Sequence, residues 1–94
     1  MMETLYDSAV RLRSDCADLL TPSDERHYDM LLHAGEQWLV LADMLRLAAK
    51  ENRLSDADAV LGIEFARSTA VNPSMRKSLE QQLIAYRRDR IAVA

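Results

Sequence analysis

A single cysteine, Cys16, leaves nothing for it to bridge to within the 94-residue chain, so an internal disulfide is excluded and a reducing compartment is expected. Two glycines and two prolines are too few for the many turns of a β-sandwich or barrel. Five aromatic side chains give little material for a β-rich core or a base-stacking surface. No surplus of positive charge is present either. Twelve Lys and Arg against fifteen Asp and Glu give a net charge of −3, not the balance of a protein that lives on phosphate backbones. The longest apolar run, Trp38 to Leu45, is interrupted at Asp43 and falls far short of the ~20 residues that cross a bilayer. The start of the chain has neither the basic residues nor the apolar stretch of a signal peptide, so a cytoplasmic location with no membrane partner is the expectation.

What the sequence does have is helical periodicity. Leu5, Ala9, Leu12, Cys16 and Leu19 recur at steps of four and three, behind a capping-box pair at Thr4 and Asp7. Within that stripe Cys16 reads as a small buried hydrophobe. Thr21-Pro22 ends this helix and opens a second, with proline at the first helical position and Asp24 and Glu25 at the positive end of the dipole. The helical pattern then continues to about Glu51, roughly 45 Å of rod at ~1.5 Å per residue. A compact domain of this length has a radius of gyration near ~12 Å. Either Gly35 bends the rod or a second copy covers its overhang.

Asn52 is suited to close that helix in a left-handed conformation, and Ser55 with Asp58 starts a third, running to about Ala70. Asn72-Pro73-Ser74 opens a fourth, with Met75, Leu79, Leu83 and Tyr86 on one face. No internal repeat or linker is visible. The fold expected is all-α: one domain over residues 1–94, a small irregular four-helix bundle around a long second helix.

Motifs that carry chemistry are thin. Ala59 to Ile63 followed by Arg67-Ser68-Thr69 has the outline of a helix–turn–helix over 56–72, turning at Gly62. A recognition helix must be long enough to lie in the major groove, and Pro73 would cut this one short. Asp29, His33 and Glu36 share a helical face, but bundle metal sites draw matching ligands from other helices and no second set exists, so neither metal nor cofactor is expected. No nucleophile elbow or phosphate-cradling glycine loop is present, and a non-enzymatic protein is expected. Glu64 alone interrupts an apolar face, formed by Val60, Leu61 and Val71, where an acid would find Arg67 or the basic fourth helix as a partner.

Two features point to protein binding. The second helix has two apolar faces, Leu31, Trp38, Leu41, Leu45 and Ala49 on one side and Val40, Met44 and Leu47 on nearly the other. Both must be buried, by the rest of the chain or by a partner. Val40, Met44 and Leu47 have the spacing of helix-in-groove anchors, and a methionine suits an adaptable contact. The last helix is basic on an acidic body: from Pro73 onward five basic residues face two acids, whereas residues 1–72 hold seven basic and thirteen acidic groups. There Tyr86, Arg87 and Arg90 are residue types that dominate interfaces. The expected function is a homodimeric protein-binding module, an adaptor, regulator or chaperone, that binds another protein, itself or both through these six residues. The alternative is a small nucleic-acid-binding regulator using residues 56–72 or the basic fourth helix.

Overall fold

A computed structural model describes residues 3–68 and 72–93 of the chain. The protein is all-α, and among the described residues there is no strand. Among the described residues five α-helices form: α1 (Leu5–Asp15), α2 (Pro22–His33), α3 (Gln37–Lys50), α4 (Asp56–Ala66) and α5 (Pro73–Val93), with a short 3-10 turn at Ala17–Leu19. The chain divides into two compact units, Met1–Met44 and Leu45–Ala94, and the division falls inside α3. None of the described helices is long and apolar enough to cross a membrane.

In the first unit, α1 and α2 both begin on capping boxes. Thr4 Oγ1 accepts from the Asp7 amide at 3.0 Å and Thr21 Oγ1 from the Asp24 amide at 3.1 Å, while each aspartate reaches back to its cap. Each cap of this type is worth about 1 kcal/mol. Ser8, Ala9, Leu12 and Cys16 form the buried stripe. Ser8 is a buried polar residue, and its hydroxyl donates to Glu3 Oε1 at 2.7 Å. Glu3 also takes Arg11, and hydrogen bonds from Arg11 and Ser8 hold its carboxyl at about 2. Arg13 spans to α2 with a two-pronged bond to Asp29, 3.1 Å on each prong.

The expected long second helix is broken. Gly35 has φ +83°, a conformation that costs other L-residues ~1–2 kcal/mol. The Gly35 amide donates to Leu32 O and the Glu36 amide to Leu31 O, the paired bonds of a Schellman cap. The chain reverses there, so α2 and α3 are separate helices rather than one rod. Reversal lets the Tyr28 hydroxyl donate to Asp43 Oδ2 at 3.0 Å. Partial burial and the neighbouring Asp43 carboxylate push the Tyr28 hydroxyl up to about 12.

The second unit opens with the end of α3, where Asn52 at φ +57° repeats the same device: Asn52 N donates to Ala49 O and Arg53 N to Ala48 O. Ser55 caps α4, accepting from the Asp58 amide at 3.1 Å. Ala59, Gly62, Ile63, Phe65 and Ala66 of α4 are buried, as are Leu79 and Leu83 of α5. The third helix, expected to reach about Ala70, ends at Ala66, and Ala70 lies outside the described residues.

Gly62 sits in the middle of α4, where glycine costs ~1 kcal/mol relative to alanine. Packing explains it. A Cβ there would lie 2.5 Å from Leu83 Cδ1 and 3.0 and 3.1 Å from the Leu45 methyls. Both leucines are fully buried, so neither can swing out into water. Overpacking costs ~1–3 kcal/mol, which exceeds the gain in helix propensity. Gly62→Ala is therefore expected to lower stability by about 1 kcal/mol in urea or thermal melts. In a Leu83→Ala background the same change should become neutral or stabilising, and an unchanged penalty in that background would disprove the close approach.

Candidate functional site

Val40 and Met44, expected at a partner interface, are fully buried within the chain, and Leu47 is half-buried. This corrects the expectation for Val40 and Met44. The two apolar faces of α3 are covered by the fold itself, since Leu41, Leu45 and Ala49 on the other face are buried as well. Cys16 Sγ points to the Met44 carbonyl at 4.0 Å, placing the end of α1 beside this segment of α3. A carboxylate at position 44 would stand in apolar surroundings with no partner.

Tyr86, Arg87 and Arg90, expected at a partner interface, form hydrogen bonds within the chain. The Tyr86 hydroxyl donates to the Leu54 carbonyl at 2.6 Å, and Arg90 donates to the same carbonyl at 2.9 Å. Arg90 further bonds the Tyr86 hydroxyl and lies over the Tyr86 ring, 5.3 Å from its centroid. Arg87 grips Asp56 with two bonds, at 2.7 and 3.3 Å. All three side chains fasten the C-terminal half of α5 to Leu54 and Asp56 around the start of α4. These bonds give the three side chains partners within the chain, with Arg90 still exposed: a tyrosine and two arginines at helical spacing look alike whether they serve a neighbouring helix or another molecule.

No helix–turn–helix forms in the described part of 56–72, because α4 runs unbroken through Gly62; Thr69, Ala70 and Val71 lie outside the described residues. Glu64 is exposed rather than set into an apolar face. The carboxylates near His33 have other partners: Asp29 is held by Arg13, and Glu36 accepts from Trp38 Nε1 at 3.0 Å. Basic residues at the other end of the α4–α5 pair are similarly engaged. Arg67 pairs with Glu80 at 3.1 Å, and Arg76 donates to the Ser68 carbonyl at 3.0 Å.

The structure instead exposes apolar residues that the helical pattern did not single out. Tyr6 is 50% exposed and Val10 39%, one turn apart on α1, while Met30 on α2 is 61% exposed. Arg13, three residues beyond Val10, holds Asp29, the neighbour of Met30. A wheel of α1 would have found this pair: Tyr6 and Val10 stand off the Leu5-Ala9-Leu12-Cys16 stripe at their own i, i+4 spacing. The unit they belong to is acidic. Residues 1–44 hold nine carboxylates and three arginines, whereas residues 45–94 hold nine basic and six acidic side chains.

Two outcomes follow from these placements. Met44→Asp should abolish the cooperative thermal transition and most of the helical circular-dichroism signal, since an unpaired buried charge outweighs the stability of a chain this small. A folded Met44→Asp protein would mean that the stripe is accessible after all. The Arg87 guanidinium holds the Asp56 carboxyl below its usual 3.8, so the pair stabilises the fold above that pH and ceases to do so as pH falls through the lowered value. Arg87→Ala should thus melt below the wild type at pH 7, and the gap should close on acidification. A gap that stays constant with pH would mean that Arg87 acts by packing alone.

No protein-family model, curated protein or solved structure matches this chain.

Proposed function

We propose that this chain is a non-enzymatic protein-binding module, acting as an adaptor, regulator or chaperone by occupying the surface of another protein or of a second copy. One observation carries the reading: Tyr6 and Val10 stand exposed one turn apart on α1, in a unit that buries a separate stripe of the same helix. A helix with a second apolar stripe gains by covering it, and i, i+4 pairs are the usual anchors of helix-to-surface recognition. Met30 adds a flexible, polarizable side chain on α2. The acidic balance of residues 1–44 favours a partner that brings positive charge to the rim of the contact.

The test replaces the two anchors together. Tyr6→Ser/Val10→Ser should melt within a few degrees of the wild type, because neither side chain belongs to the buried stripe. Immobilised wild-type protein should retain a partner, whether another protein or its own soluble chain, that the double variant loses. If both proteins retain the same partners with the same strength, α1 is not the binding surface.

A further inference from the structure

We infer that the α1 surface of one copy takes the outward face of α5 of another copy. This rests on the reading of α1 as a binding face and names its occupant.

The inward face of α5 is taken up by the fold. Leu79 and Leu83 are buried, and Tyr86 and Arg90 close on the Leu54 carbonyl. Lys77, Gln81, Ile84 and Arg88 follow one another at steps of four, three and four, which sets them along the opposite side of the helix. All four are exposed, and Ile84, in the midst of three long polar side chains, is 41% exposed. Arg88 lies 3.7 Å from its exposed neighbour Asp89. This is a basic helix face with one apolar anchor.

The α1 surface has the opposite pattern. Tyr6 and Val10 form an apolar pair one turn long, with exposed Asp7 next to Tyr6 and with Asp29 brought in from α2 by Arg13. An isoleucine can seat between the tyrosine and the valine while Lys77 and Arg88, about two turns and one turn away from it, meet carboxylates. The balance of the two halves of the chain, nine carboxylates to three arginines before residue 45 and nine basic to six acidic side chains after it, sets the same polarity over a longer range. Two α1 surfaces facing each other would bring like charges together, and two α5 faces would do the same. Pairing α1 with α5 is the combination that complements both charge and apolar contact.

Sedimentation equilibrium of the full chain, from micromolar to near-millimolar protein, tests the inference. Wild-type protein should self-associate, and added salt should weaken the association. Ile84→Ser/Arg88→Glu, which removes the α5 face, and Tyr6→Ser/Val10→Ser, which removes the α1 face, should each raise the dissociation constant by about tenfold or more. All four substitutions are at exposed positions, and thermal melts check that both variants remain folded. Mixed together, the two variants should form a one-to-one complex tighter than the self-association of either variant alone, because each retains the surface that the other lacks.

A mixture that fails to associate, while the wild type does, would overturn the α1–α5 pairing. So would an α5-face variant that associates as well as the wild type; if the α1-face variant fails in the same experiment, the binding role of α1 survives and only its occupant is wrong. A wild-type chain that stays monomeric throughout also overturns the pairing, and leaves the protein-binding reading to be decided by loss of partners in Tyr6→Ser/Val10→Ser.

Discussion

A continuous helix would hold Tyr28 and Asp43 roughly 22 Å apart along its axis. In the fold their side chains share a hydrogen bond of 3.0 Å. The difference is made by one residue of left-handed backbone at Gly35, which ends α2 in a pair of Schellman bonds and turns the chain back on itself. The contact between α2 and α3 in the first unit depends on that turn. Across it Tyr28 reaches Asp43, and the end of α1 lies beside Met44 of the same helix. Asn52 does the same at the end of α3, as a residue type that tolerates positive φ at modest cost.

The α4–α5 pair depends on a different constraint, the missing side chain at Gly62. It lets Leu83 lie against the backbone of α4 closer than a Cβ would permit, with Leu45 in tight contact beside it. Polar contacts then fix the ends. At one end Tyr86 and Arg90 share the Leu54 carbonyl and Arg87 holds Asp56; at the other Arg67 pairs with Glu80. The exposed ion pairs among these contribute little energy singly. Their effect is to hold the register of α5, which decides which of its residues point outward. The basic residues of the last helix thus fall into two sets, Arg87 and Arg90 bonded to Asp56 and the Leu54 carbonyl, and Lys77 and Arg88 on the opposite side of the helix.

The sequence by itself determined the all-α class and most of the helix starts. Thr4, Thr21, Ser55 and Asn72 are legible as caps because capping is a local event, completed within three residues by a side chain of fixed type. Asn52 is legible for the same reason, and so is the choice posed at Gly35 between a bend and an overhanging rod. Burial of both faces of α3 is also written in its composition, since no helix leaves two apolar faces in water. Who covers those faces is not written there. Val40 and Met44 carry the same spacing whether they meet a partner or the chain's own core, and only packing between residues far apart in sequence made them core. Nor is it written there that Tyr86, Arg87 and Arg90 have intrachain partners some thirty residues away at Leu54 and Asp56. Gly62 reads locally as a turn, yet the side chains that require it belong to α3 and α5. The exposed pair Tyr6 and Val10 lay in plain view on the α1 wheel, but the wheel cannot say which of two apolar stripes will be covered. Tertiary structure decided that, because burial is a property of what packs against a residue and not of the residue itself.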